Sequence, residues 1–352
     1  MYETIKEGKA VLRINKADKI SRQMEVFYNP VMQLNRDITI LLLQQFRPMH
    51  LCDLFAGSGV RSIRFAKELK YKSIAANDVS KKAVSSIKSN LKLNKINYNN
   101  KKIMIFNEDA NLFLLNSKGF DYIDVDPFGT SNYYLDSSVK RLSRNGILAV
   151  TNTDTAALTG TYPRACVRKY WAVPNRDYMM HETGLRILIR KVQLIGMQYD
   201  KALLPIFSYF KNHYFRIFFQ CSKGKKEVDK IPEKHSMFND AGPLWIGNLW
   251  DNKLVNKMYK TLLKSYDKKN TINNNELLRF LRIIEDESKV DVVGYYDIHK
   301  ISKKRKLNTM MKKEDIIRKI KKKSFAAANT HFAGTGVRSD ISYDKLLMLL
   351  KE

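Results

Sequence analysis

LCDLFAGSGVR, residues 51–61, is the stretch on which the reading of the fold turns. Leu51-Cys52-Asp53-Leu54-Phe55 reads as a short buried strand, Ala56 to Arg61 as a glycine turn, and Ser62 to Leu69 as a helix with Ile63 and Ala66 on one face. Strand, glycine turn and helix bring backbone amides close to a nucleotide-like ligand. A dinucleotide fingerprint would carry its third glycine at position 62, where this chain has Ser62. Asp53, four residues before Gly57, suits a ligand with a cationic amino-acid end better than it suits a pyrophosphate. S-adenosyl-L-methionine is such a ligand, and Asp53 and Gly57 are the first candidates for holding it.

Two further acids fall where that ligand needs them. Asp78 ends the run Ser73-Ile74-Ala75-Ala76-Asn77, and a carboxylate at a strand tip can accept both ribose hydroxyls. Asp109 follows Ile103-Met104-Ile105-Phe106, where it can take the adenine amino group. Either acid can equally be a helix N-cap, Asp78 before Ser80 to Leu91 and Asp109 before Ala110 to Leu115.

The apolar run Tyr122-Ile123-Asp124-Val125 closes on Asp126-Pro127-Phe128-Gly129. This tetrapeptide is similar to the (Asp/Asn)-Pro-Pro-(aromatic) loop with which methyltransferases seize an exocyclic amino group. Methylating such a nitrogen requires its lone pair to be freed from conjugation with the ring. The Asp126 carboxylate and a carbonyl fixed by Pro127 can both accept hydrogen bonds from the NH2 group, and Phe128 offers a face for stacking. Asp-Pro-x-Gly is also an ordinary turn after a strand. Glycine turn, two acids and this tetrapeptide, each at a strand end and in this order, point to a methyltransferase domain.

The 352 residues suffice for a sizeable core and two units. The longest apolar stretches, such as Ile38-Thr39-Ile40-Leu41-Leu42-Leu43, are too short to span a bilayer, so no membrane is expected. The start lacks the apolar core of a signal peptide, and a cytoplasmic location is the expectation. Cys52, Cys166 and Cys221 suit neither a disulfide framework nor a C-x-x-C metal knuckle, and His181-Glu182 lacks the second histidine of a zinc-protease helix. No metal is expected.

Charge adds a partner class. Lys and Arg number 63 against 35 Asp and Glu, a net charge of +28. Residues 301–325 hold eleven of the bases against Glu314 and Asp315. A charge run is commonly a solvated face; beside a methyltransferase domain, binding of a polyanion accounts for it better. From Asn35 to about Gln220 strands and helices alternate, with a strand at Ile147 to Thr151, a helix at Thr183 to Ile195, and two closing strands around Lys211-Asn212-His213. Ser222 to Glu227 reads as the linker. The expected fold is α/β: a Rossmann-like class I methyltransferase domain with an N-terminal extension over residues 1–222, then a smaller, mostly helical α+β domain over residues 223–352.

On residues 53–64 (DLFAGSGVRSIR), 27–37 (FYNPVMQLNRD), 124–130 (DVDPFGT), 150–158 (VTNTDTAAL), 160–168 (GTYPRACVR), 181–188 (HETGLRIL), 242–251 (GPLWIGNLWD) and 330–340 (THFAGTGVRSD), the chain resembles the tRNA (guanine-26-N2)-dimethyltransferase family. The resemblance runs through essentially the whole chain. It implies S-adenosyl-L-methionine as cofactor, tRNA as partner, and N2-methyl- or N2,N2-dimethylguanine as product. Carried onto matching positions, it implies that Arg36, Arg61, Asp78, Asp109 and Ala110 bind the cofactor. Asp126 would be the catalytic acceptor, with Phe128 and Phe27 stacking on guanine.

One departure stands out. Many members carry a four-cysteine zinc knuckle before the Gly-Pro-Leu-Trp motif, whereas here only Cys221 remains, so the knuckle is absent or replaced by packing of Trp245 and Trp250. Other readings stay open for single residues: Arg36 as a cap or a partner of Asp37, Arg61 facing solvent, Phe27 as core. Two other functions also stay open, methylation of an amino group in DNA or ribosomal RNA, and RNA binding without catalysis. For capture of tRNA the candidates are Lys303 to Lys306, Arg318 to Lys323 and, in residues 330–340, Arg338.

Overall fold

The computed structural model describes residues 2–15, 26–265, 271–307 and 311–351. The chain opens with a hairpin of β1 (Tyr2–Glu7) and β2 (Ala10–Asn15). After α1 (Gln33–Leu43), strand and helix alternate: β3 (His50–Asp53), α2 (Val60–Glu68), β4 (Ser73–Asn77), α3 (Lys81–Leu93), β5 (Ile103–Phe106), α4 (Ala110–Asn116) and β6 (Phe120–Val125). Then come α5 (Asn132–Arg141), β7 (Leu142–Asn152), α6 (Thr155–Leu158), α7 (Pro163–Tyr170), α8 (Met180–Met197), β8 (Lys201–Lys211) and β9 (Tyr214–Lys223). The remainder is α9 (Lys225–Asp229), β10 (His235–Phe238), β11 (Ala241–Trp245), α10 (Asn252–Ser265), α11 (Thr271–Glu287), β12 (Tyr296–Asp297), α12 (Ile298–Arg305), α13 (Lys313–Lys322), β13 (Ala327–Asn329), β14 (Gly336–Ser339) and α14 (Tyr343–Lys351).

Seven strands form one sheet in the order β5-β4-β3-β6-β7-β9-β8. The five from β5 to β7 are parallel, which is why they read as nearly continuous apolar runs: helices cover both of their faces. The chain winds outward from β3 to β5, then returns to place β6 on the other side of β3. That reversal is a topological switch point, where the carboxyl ends of neighbouring strands leave a crevice. Asp53 pairs in register with Asp124 there, so the carboxyl ends of β3 and β6 lie side by side at one edge of the sheet. The Rossmann-like methyltransferase architecture expected from the sequence is present.

The N-terminal extension begins with a hairpin, β1 paired antiparallel to β2, that stands outside the seven-stranded sheet. β2 sends Ala10, Leu12 and Ile14 into a core with Ile63, Ile87 and Leu91, by the alternation of a strand with one covered face. The side chain of Asn90 on α3 accepts from the Arg13 N–H at 2.8 Å, and that of Asn94 accepts from the Val11 N–H at 2.9 Å. Their amides donate back to the carbonyls of Arg13 and Val11, so two helix side chains complete the outer edge of β2. Asn90 also donates to the Ser58 carbonyl at 2.9 Å, tying the hairpin to the glycine turn.

The chain makes two compact units, and they do not follow a single cut after residue 222. One comprises Met1–Asp154, Val192–Leu204 and Arg216–Ile231; the other comprises Thr155–Lys191, Pro205–Phe215 and Pro232–Glu352. The reason is that α8, β8 and β9 each run from one unit into the other. Ser222 to Glu227, read as a linker, is the end of β9 and the start of α9.

In the second unit Ile298, Ile301, Ile316, Ile320, Val337 and Leu346 form a core under α12, α13 and α14. Trp245 and Trp250 are buried, their indole N–H groups donating to the carbonyls of Asn248 and Ser208. Arg338 is fully buried, pairing with Glu182 at 2.6 Å and Glu287 at 2.9 Å. It is therefore an internal counter-ion and not the phosphate contact that its motif suggested. The bases of α12 and α13 stay outside: Lys303, Lys304, Arg305, Lys306, Arg318, Lys321, Lys322 and Lys323 are exposed, while residues 308–310 of that run lie outside the described residues.

Replacing Asn90 by Ala takes the partner from the part-buried N–H and carbonyl of Arg13 and from the buried Ser58 carbonyl. It should cost about 2 kcal/mol in urea unfolding. Unchanged stability would show that water satisfies those groups.

Candidate active site

The carboxyl ends of β3, β4 and β6 open into a cavity of 590 Å³. Phe27, Arg36, Asp53, Gly57, Arg61, Asp78, Asp126, Pro127 and Phe128 all line it. Asp109 and Ala110 do not. Asp109 caps α4, accepting from the Asn111 and Leu112 N–H groups, as its alternative reading had it. Burial pushes up the phenol of Tyr134, which does line the cavity, and the Asp109 charge adds to that.

Gly57 turns with φ +53°, and a Cβ there would lie 3.0 Å from the Phe27 carbonyl oxygen. Only glycine lets the turn and the loop beside it approach so closely. The Gly57 N–H donates to Asp78 at 2.9 Å, so the acid at the end of β4 is tied to the turn. The cap of α3 is Ser80, which accepts from the Ala83 N–H, and Asp78 in turn accepts from the Ser80 N–H. Asp53 is buried beside them and takes the Ser62 hydroxyl at 2.6 Å. Burial pushes its carboxyl up to about 6, although Arg61 and the Ser62 hydroxyl pull the other way.

Arg36 does not pair with Asp37. Its Nε donates to Glu7 at 2.6 Å, while Asp37 takes Arg64. Glu7 collects Arg36, Arg64 and the Tyr28 hydroxyl; burial would raise its carboxyl, but the arginines outweigh that and hold it low. Arg61 does not face solvent either. It is 6% exposed and reaches Asp126 at 2.6 Å and Asp124 at 3.1 Å. Asp124 is fully buried and also takes Arg216 at 2.7 Å. Burial alone would push the Asp124 carboxyl up; Arg216 and Arg61 overcome it and hold it below the ordinary range.

The Asp126 side chain keeps 21% exposure, and Phe128 and Phe27 stand edge to face beside it with centroids 4.4 Å apart. Phe27 is thus part of the cavity wall. The loop is clamped to the end of β7, where the Gly129 N–H donates to the Thr153 hydroxyl at 2.8 Å and the Ser131 N–H to Asn152 at 3.0 Å. Glu7, Asp124 and Arg216 were not among the sequence candidates. For two of them a signal existed: Tyr122, Asp124 and Asp126 share one strand face by period two, and Arg216 is a lone charge in the aromatic run 214–219. Chemically, the cavity offers a buried carboxyl for a cation, a strand-tip carboxylate for a diol, a guanidinium for a carboxylate, and an aromatic-flanked carboxylate for an amino group.

A family profile for N2,N2-dimethylguanosine tRNA methyltransferase matches residues 8–240 and 231–351. The chain is 37% identical to a tRNA (guanine(26)-N(2)/guanine(27)-N(2))-dimethyltransferase of Aquifex aeolicus, over 99% of this chain and 96% of that one. It is 35% identical to a tRNA (guanine(26)-N(2))-dimethyltransferase of Methanocaldococcus jannaschii, over 97% of each. Among solved structures it is similar to Trm1 from Pyrococcus horikoshii in complex with S-adenosyl-L-methionine. That likeness has a TM-score of 0.91 and 34% identity, over 99% of this chain and 100% of that one.

The raised Asp53 carboxyl yields a pH prediction. Unfolded, the group titrates near 4; folded, at about 6, so folding takes up a proton between those values. Its contribution to stability is therefore present below about pH 4 and lost as pH rises through about 6. Asp53→Asn removes the penalty. The variant should gain on the parent across this window, reaching on the order of 2–3 kcal/mol at pH 7 in paired urea titrations. A difference that stays flat with pH would place the folded carboxyl at its ordinary value.

Proposed function

Since this chain belongs to the N2,N2-dimethylguanosine tRNA methyltransferase family, we propose that it uses S-adenosyl-L-methionine to methylate the exocyclic N2 of guanine 26 in tRNA, giving N2,N2-dimethylguanine. The observation that carries this reading is the Arg61–Asp126 ion pair at the aromatic end of the cavity. An enzyme acting on tRNA is expected where tRNA is used, and a cytoplasmic location is part of this reading.

The residues fit the cofactor. Gly57 lets the turn lie close against the Phe27 loop, Asp78 is oriented for the ribose hydroxyls, and Asp53, mostly ionised at neutral pH with its carboxyl at about 6, offers its charge to an ammonium group. Arg36, held by Glu7, serves the cofactor's carboxylate. Asp109 remains assigned to the adenine amino group, with Ala110 beside it as a further cofactor-binding position. When bound, S-adenosyl-L-methionine supplies an electrophilic methyl group on a sulfonium.

The rest of the chemistry belongs to Asp126 and its neighbours. The guanine N2 lone pair is delocalised into the ring and is a poor nucleophile until its N–H groups are held. Arg61 engages one oxygen of Asp126 and fixes the rotamer; among the described residues the other oxygen has no partner and can accept an N2–H. That oxygen is placed to take the proton that N2 gives up on methylation. Phe128, 45% exposed, gives the base a face to lie on.

The exposed bases of α12 and α13 hold the tRNA body in this reading. A target base buried in folded tRNA must be unstacked at a cost of a few kcal/mol, and a broad phosphate contact offsets it.

Asp126→Ala should lower the rate of tRNA methylation roughly a hundredfold or more, about 3 kcal/mol, with cofactor affinity little changed. Mass spectrometry of nucleosides from treated tRNA reads it, and a rate within a few-fold of the parent would remove Asp126 from the chemistry. Neutralising Lys303 to Lys306 together with Arg318 to Lys323 should weaken tRNA binding. The salt dependence should flatten by about one unit of slope per lost phosphate contact. Parental affinity and slope would make these helices merely solvated.

A further inference from the structure

α7 carries an exposed face that the catalytic cavity does not use. Arg164, Val167, Arg168 and Trp171 follow one another at i, i+3, i+4 and i+7, and all four are exposed, while Cys166 and Tyr170 on the opposite side are fully buried. Tyr162 before the helix is 63% exposed and Val173 after it 48%. Residues 155–176 contain Arg164, Arg168, Lys169 and Arg176 and no acid.

Trp171 is the anomaly on this face. Trp245 and Trp250 are buried, whereas Trp171 is 47% exposed. Its backbone sits at φ 56°, in the left-handed region that bulky side chains avoid. The residue is also held: Lys191 Nζ lies 2.9 Å from the ring centroid, and Arg190 Nη1 donates to the Trp171 carbonyl at 3.2 Å. An aromatic ring braced by a cation, kept half in solvent at the expense of backbone strain and flanked by arginines, is not what burying Lys191 alone requires. It matches a nucleic-acid platform, where bases stack on aromatic faces and guanidiniums take the phosphates. The absence of acids across residues 155–176 favours a polyanion over a protein partner.

Resting on the tRNA reading above, we propose that the α7 face is a second RNA contact, in which Trp171 stacks on an unpaired tRNA base while Arg164 and Arg168 hold the adjacent phosphates. This platform grips a nucleotide other than the target guanine and adds to the charge of α12 and α13.

The test uses the full-length protein and a tRNA transcript. Trp171→Asn removes the ring at a backbone position that Asn adopts readily, so the variant should stay folded and bind tRNA about tenfold more weakly. Trp171→Phe should keep affinity within a few-fold but lose the quenching of tryptophan fluorescence by tRNA, since the remaining tryptophans are buried. Arg164→Ala with Arg168→Ala should lower the salt slope by about two units. S-adenosyl-L-methionine affinity should be unchanged in all three. Parental tRNA affinity, slope and quenching in these variants, with the parent still methylating tRNA, would overturn the α7 contact alone. A parent that does not methylate tRNA at all would overturn both readings. Loss of self-association in sedimentation, with tRNA binding intact, would make the face a protein contact and also overturn the proposal.

Discussion

Asp124 is the charge around which the methyltransferase unit is arranged. It is fully buried and takes Arg216 at 2.7 Å and Arg61 at 3.1 Å, with the Tyr122 hydroxyl donating to it as well. Arg216 reaches it from β9 across the intervening β7, where the Thr151 hydroxyl takes its Nη1 at 2.9 Å, and Thr39 of α1 takes its Nη2. One carboxylate thus joins three strands and two helices. Buried ion pairs of this kind rarely add net stability, because desolvation consumes most of the attraction, and well-packed apolar residues would serve the sheet as well. What apolar residues could not do is hold Arg61 so that its other nitrogen meets Asp126 at 2.6 Å. The buried cluster is best understood as the support that aims Asp126, the carboxylate to which we assign the chemistry.

Glu7 does the same for the other end of the cavity. It gathers Arg36, Arg64 and Tyr28, so the N-terminal hairpin supports Arg36 and Tyr28 in the wall of the cavity. Asn90 joins that hairpin to the carbonyl of Ser58 in the glycine turn. Backbone closeness at Gly57 and fixed side chains at Arg36 and Asp78 therefore share one frame, as preorganised binding requires.

In the second unit buried and surface charge are kept apart. Arg338 and Arg186 are used internally against Glu182 and Glu287, with His331 also bonded to Glu287 at 2.6 Å. The apolar sides of α12 and α13 enter the core through Ile298, Ile301, Ile316 and Ile320, which leaves their lysines and arginines outward. An excess of 28 positive charges is costly to a compact chain and useful on a surface that meets a polyanion.

The alternation of strand and helix from β3 to β7 was legible because parallel strands covered on both faces are apolar runs, and glycines and acids mark their ends. Since such strands deliver their carboxyl ends to one edge, the sequence alone places Asp53, Gly57, Asp78 and Asp126 together. The β2 alternation Ala10-Val11-Leu12-Arg13-Ile14 was also present in the sequence, but it is short and its partner helix lies far along the chain. Charge pairing was not legible. Arg36 meets Glu7 across 29 positions, Arg216 meets Asp124 across 92, and Arg338 meets Glu182 across 156. Local pattern determined which segments are strands and where their ends lie. Whether an arginine is a phosphate contact, a cofactor ligand or a buried counter-ion depends on which distant carboxylate it meets, and only the closed fold brings the two together.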